Sequence, residues 1–285
     1  MGEKLFRILH HPMRVFVEEE CEILNLNNKP AYFKEKVVIP VDSFIGNGNQ
    51  DPYIFHQPWM YGYCRNYNMP KNTGKDSVVL FGTYIDNYKN RNKPAFLLDT
   101  FFVVNNRYPW LMEHQGLQPS DNFKRDFPYN QHDKFYIDFI APRVEGKQHP
   151  KAHSIFTSQN IELGQAIVAN KKFSFIPLKY KDGIYNLFDI YDFFEPCLFE
   201  GHHRRRNRLY RVLDEKQIDE IFTMLLRNAT HLVLNTTRIG SPVDINYNLQ
   251  VKYSNAVYGE TNQSIIEENC FPKCKFYPEE DDYDD

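Results

Sequence analysis

Apolar positions in this chain fall in short blocks separated by polar, Asn-rich or Pro-containing stretches, and most of the blocks are the length of a strand. Runs rich in Val, Ile, Phe and Tyr at Leu5 to Leu9, Met13 to Val17, Lys36 to Val41, Ser77 to Ile85, Ala95 to Val104, Lys134 to Ala141, Lys172 to Leu178 and His231 to Leu234 predict strands. Asp86 to Pro94, between the fourth and fifth of these, is too short for a helical crossover, so those two are expected to pair as an antiparallel hairpin. One segment has the helical period instead. Ile218, Ile221, Phe222, Leu225 and Leu226 share one face of Glu215 to Asn228, with Asp214 placed as N-cap and Gln217 three residues later. A shorter helix is expected over Ile161 to Asn170, weakened by Gly164. The pattern predicts an α+β fold, a mostly antiparallel or mixed sheet with a few helices packed on it.

No internal repeat or flexible linker divides the chain, so residues 1–278 read as one domain; a smaller helical C-terminal unit from about residue 196 is the alternative division. The segment from Gly46 to Gly74 reads as a long aromatic loop, with Trp59, Tyr61, Tyr63 and Tyr67 among three prolines, and long loops in compact domains carry function disproportionately. Tyr108 to Gln131 reads as an insertion or a pair of short helical turns.

Composition narrows the class. With 285 residues, 42% hydrophobic and 25% charged, the chain is neither collagenous nor wholly disordered. Apolar runs such as Val78 to Phe81 are far short of the ~20 residues that span a bilayer as a helix, so no membrane partner is expected. The net charge of -3 is uneven, because the terminal run Glu279 to Asp285 carries six acids and no base. Such a block repels itself and has little to bury, so residues 279–285 are expected to form a disordered acidic tail. Five scattered cysteines form no disulfide framework, and no secretory signal opens the chain, which together predict a reducing, cytoplasmic setting.

The densest chemistry is basic. His202, His203, Arg204, Arg205, Arg206, Arg208 and Arg211 fall within ten residues, and arginine forks match phosphate oxygens and stack on bases. Tyr61, Tyr63 and Tyr67 are the matching candidates for stacking on a base. A second candidate set is catalytic. Asp138 precedes Pro142, Glu145 and Lys147, an acid at a strand end followed by Glu-x-Lys, where carboxylates hold a divalent metal and a lysine stabilises developing charge. Asp99 joins it because it interrupts the apolar run Phe96 to Val104, where a carboxylate is either paired within the core or faces a pocket. His149 and His153 are separated by Pro150, and Cys270 and Cys274 have no second pair, so neither makes a complete metal set. Gly46 to Asn49 lacks the helix and lysine of a phosphate loop. No cofactor follows from the sequence.

Three pieces in order, Asp76-Ser77-Val78-Val79-Leu80-Phe81-Gly82-Thr83, Phe96 to Val104, and Phe173-Ser174-Phe175-Ile176-Pro177, resemble the nucleotide-modification-associated domain proteins of bacteria and phages. They lie within residues 76–178, and the resemblance implies a place in DNA-modification or phage-conflict systems without a catalytic set to carry over. The leading expectation is therefore a nucleotide- or nucleic-acid-handling protein. A metal-dependent nucleotide or phosphodiester hydrolase and a non-enzymatic protein-interaction module are the alternatives, and oligomeric state stays open.

Overall fold

The central apolar runs are continuous because both of their faces are covered. The computed structural model describes residues 4–10, 14–26, 31–42, 52–64, 73–85, 95–113, 116–133, 135–141, 152–161, 171–181, 184–193 and 210–236. The fold is sheet-rich and mostly antiparallel, with few helices. An eight-stranded sheet has the order β12-β1-β5-β6-β8-β4, formed by β1 (Phe6–His10), β4 (Met60–Cys64), β5 (Val78–Ile85), β6 (Ala95–Glu113), β8 (Ala152–Ser158) and β12 (Tyr210–Val212). Two short strands, β7 (Gly116–Pro119) and β11 (Phe188–Asp189), also pair with β6. A five-stranded sheet has the order β10-β9-β13-β2-β3, formed by β2 (Arg14–Asn25), β3 (Ala31–Asp42), β9 (Ile176–Lys181), β10 (Ile184–Asn186) and β13 (His231–Thr236).

The expected β5–β6 hairpin is antiparallel in register from Val78↔Val103 to Ile85↔Ala95, whereas β1 pairs with β5 in parallel. Val78, Leu80, Phe101 and Val103 bury into one core cluster and Val79, Phe81, Phe102 and Val104 into another. The two sheets meet at a bridge, where Phe101 and Phe175 exchange backbone hydrogen bonds of 2.9 Å and their rings stack at 5.2 Å. Helix α2 (Glu215–Asn228) adds Ile218, Ile221 and Leu225 to the first cluster. Its start is the expected capping box: the Asp214 carboxylate accepts from the Gln217 amide at 2.7 Å, and Gln217 Oε1 accepts from the Asp214 amide at 3.1 Å.

Several elements differ from the sequence-based expectations. Strand β2 runs on through Glu18-Glu19-Glu20 to Asn25, because β3 supplies partners throughout and sets Lys36 and Lys34 opposite Glu20 and Glu22. The expected strand Lys134 to Ala141 is helical, with a π-helical turn at Tyr136–Ile140. Its aromatic and β-branched composition reads as strand, but Phe135, Phe139 and Ile140 bury together, and Asp133 Oδ1 accepts from the Phe135 amide at 2.8 Å to start the turn. Tyr108 to Gln131 is in part a continuation of β6, hairpinned to β7 and followed by the short helix α1 (Asp121–Asp126). The Asp86 to Pro94 connection, residues 162–170 of the expected second helix and the acidic tail lie outside the described residues. Among the described residues no helix is long and apolar enough to cross a membrane.

Two substitutions test this packing. A Cβ on Gly82 would meet the Phe96 ring and the Leu97 carbonyl oxygen, so Gly82→Ala is expected to lose about 1–3 kcal/mol of unfolding free energy, read by urea denaturation. Asp214→Ala removes one half of the capping box and is expected to cost about 1 kcal/mol in the same measurement.

Candidate functional site

Of the sequence candidates, Tyr61, Tyr63, Asp99, Asp138 and Arg211 fall among the described residues. Tyr61 is 1% exposed, with its ring 5.1 Å from Phe81 and 6.2 Å from Phe156, so it belongs to the core and is closed to a base, contrary to the stacking role expected of it. Trp59 and Tyr53 of the same expected loop are buried as well, because Tyr53 bridges Met60 and the chain folds straight into β4. Tyr63 stands in β4 opposite Ser154 of β8. Arg211 stands in β12 opposite Ile8. Tyr67, Glu145, Lys147, His202, His203, Arg204, Arg205, Arg206 and Arg208 lie outside the described residues.

Asp99 is 1% exposed and is the extra residue of a bulge, since Phe81 pairs with Thr100 and Gly82 with Leu98. Its carboxylate lies within the core, away from bulk solvent. Asp138 lies in the π-helical turn instead of at a strand end. That turn packs with Tyr108 and Trp110 near the far end of β6. Asp99 thus falls where β6 pairs with β5, and the turn that holds Asp138 falls with the cluster on the far half of β6. Among the described residues no three His, Cys, Asp or Glu side chains are grouped to hold a metal ion.

What the far half of β6 does assemble is an aromatic cluster rimmed by polar groups whose protonation is perturbed. Tyr53, Met60, Tyr108, Trp110, Phe123, Phe135, Phe139, Ile140 and Ile155 bury together. His56 packs on it with its ring 4.3 Å from Phe135 and 5.9 Å from Phe127, and its Nδ1 is buried with no hydrogen-bond partner. Burial pulls the His56 pKa down, while the Pro58 backbone and the charge of Asp133 oppose the shift. Tyr108 donates to Asp126 Oδ2 at 3.1 Å, and burial above all raises its phenol pKa. Asp126 in turn is lowered chiefly by Arg125, whose Nε donates to Oδ1 at 2.9 Å. Burial also raises Tyr129.

On the opposite face of the same strands, pairing aligns Tyr61, Phe156 and Arg107 in one row and Tyr63, Ser154 and Pro109 in the next. The Arg107 Nε donates to Ser154 Oγ at 2.7 Å. Ser154 is 2% exposed, and burial lowers the pKa of the partly buried guanidinium. Sequence reasoning missed both His56 and Arg107. His56 lies within the expected aromatic loop and Arg107 beyond the expected strand end at Val104, although the spacing of two between Tyr108, Trp110 and Met112 is the sign that the strand continues. The chain matches no protein-family model, no curated protein and no solved structure.

The His56 geometry has a pH consequence. An unfolded histidine takes up its proton near pH 6.5, while the folded protein resists doing so until lower pH. The stabilisation is thus fully present above about pH 6.5 and falls as pH drops from there towards the depressed folded pKa. His231, also lowered by burial and opposed by Glu35, contributes in the same direction. His56→Phe is expected to flatten, without abolishing, the decline of unfolding free energy between pH 7.5 and 5.5; equal declines in both proteins would contradict the assignment.

Proposed function

We propose that the protein handles nucleotides or nucleic acid, making phosphate contacts through His202, His203, Arg204, Arg205, Arg206, Arg208 and Arg211. The observation that carries this reading is the place where the basic segment enters the sheet. It leads into β12, an outer strand of the eight-stranded sheet, where Arg211 is in register with Ile8 and Val212 with Arg7 of β1. The outer side of β12 has no strand partner among the described residues. An edge strand offers outward backbone N–H groups beside its side chains, and both N–H groups and guanidinium forks are donors to phosphate oxygens. The likeness to nucleotide-modification-associated proteins supports the same reading, in a cytoplasmic setting of bacterial or phage origin. We also assign the fold to the α+β class, a reading supported by the insertion of Ile218, Ile221 and Leu225 of α2 into the cluster that holds Ile8, Leu80 and Phe101.

Tyr61 has no part in this proposal. The hydrolase alternative, built on Asp99, Asp138, Glu145 and Lys147, draws no support from Asp99, whose side chain is buried in the core.

The test is fluorescence anisotropy with labelled single-stranded and duplex oligonucleotides at 50 and 200 mM salt, together with nucleotide competition. Phosphate-led binding is expected to weaken by an order of magnitude or more over that range, since each released counterion contributes to the slope. The combined change of Arg204, Arg205, Arg206 and Arg208 to Gln is expected to lower affinity at least tenfold and to flatten the salt dependence. Affinity indifferent to both salt and these changes overturns the proposal.

A further inference from the structure

Arg107 stands apart from the charged side chains that rim the aromatic cluster. Asp126 has Arg125 and Tyr108, but among the described residues the Arg107 side chain bonds to the hydroxyl of Ser154 alone. Among the described residues no carboxylate pairs with it, neither Nη group makes a hydrogen bond, and neither is sealed from solvent. A guanidinium that gives up part of its hydration without a counter-ion is poised for an anion, because the cost of partial burial is already met in the fold.

The surroundings hold it in place. Bonding of Nε to a serine that is 2% exposed fixes one edge of the planar fork and leaves the edge carrying the Nη groups open. Asn105 is the extra residue of a second bulge in β6, since Val104 pairs with Ser158 and Asn106 with Thr157. Past that bulge Arg107 comes level with Phe156 at the rim of the second core cluster, where buried apolar side chains give way to partly exposed ones. Tyr63 occupies the β4 position across from Ser154. We propose that Arg107, seated on Ser154, is a phosphate-binding subsite on the β4–β8–β6 surface. As a seat for the phosphate of a nucleotide it rests on the function proposed above, while as an oxyanion site it stands on its own residues and is separate from the basic segment at β12.

Phosphate is favoured because the free Nη pair can take two oxygens of one group side by side. The experiment is calorimetric titration of the full chain at low salt with inorganic phosphate, adenosine monophosphate and acetate. It compares the wild type, Arg107→Met, Arg107→Lys and the variant with Arg204, Arg205, Arg206 and Arg208 changed to Gln. Wild type is expected to bind phosphate and to prefer it to acetate. Arg107→Met should lose at least tenfold in phosphate affinity, and Arg107→Lys should fall between, keeping the charge without the fork. The four-arginine variant should keep its phosphate affinity even if it loses oligonucleotides.

Absence of phosphate binding in the wild type, or equal binding by wild type and Arg107→Met, overturns the subsite. Loss of phosphate binding only in the four-arginine variant overturns it too, but leaves the basic segment as a contact. Adenosine monophosphate binding no tighter than phosphate keeps the subsite and removes its link to nucleotides. Arg107→Lys guards against a folding defect in Arg107→Met. In addition, the Arg107 Nε–Hε resonance, assigned by its disappearance in that variant, should shift on phosphate addition to the wild type, and an unmoved resonance counts against the site.

Discussion

Two single-residue bulges in β6 set the phase of the whole eight-stranded sheet. Side chains of a strand alternate between faces, so one extra residue exchanges the faces of everything beyond it. Phe96 and Leu98 lie before the bulge at Asp99, and Phe101 and Val103 beyond it, yet all four bury in the same cluster. The even-numbered positions of the first pair become the odd-numbered ones of the second. The bulge at Asn105 reverses the phase again. Val104 faces the second cluster, but beyond the bulge Arg107 aligns with Phe156 on that face, while Tyr108 and Trp110 turn into the aromatic cluster with Phe123, Phe135 and Phe139.

The strand can carry these shifts because it has partners along its whole length. Pairing passes from β5 and β11 at its start to β8 and β7 at its end, with Phe175 bridging at Phe101. Burial on both faces of its first half demands apolar residues at successive positions, and a buried backbone demands hydrogen bonds for each amide. The candidate anion position follows from the same geometry. Arg107 falls where the second cluster ends and β5 no longer pairs, so its aliphatic stem is covered while its terminal nitrogens meet solvent.

Legibility of the sequence follows the range of the interactions involved. The α2 helix and its capping box were readable, since Asp214, Gln217 and the apolar stripe lie within a few turns of one another. The β5–β6 hairpin was readable from a short polar connection between two apolar runs. The π-helical turn was not, because Phe135 to Ile140 has the composition of a strand and adopts its turn only against rings brought by Tyr53, Phe123 and Tyr129. The extent of β2 was hidden by its glutamates, which become strand residues through the lysines of β3. Tyr61 looked like a surface aromatic because its loop is rich in prolines, and only the return of the chain into β4 buries it.

Sequence by itself determined the sheet-rich class, the placement of most strands, the capped helix and the concentration of arginines before β12, since each depends on local period, composition or spacing. Tertiary structure alone decided which face each residue of β6 presents, that Asp99 is buried at a bulge while Asp138 sits in a π-helical turn, and that Arg107 rather than Tyr61 stands at an open rim. The physical reason is phase. A bulge is set by the register of two paired strands, and one residue's shift in that register reverses which side chains are core and which meet a ligand, with no mark in the strand's own composition.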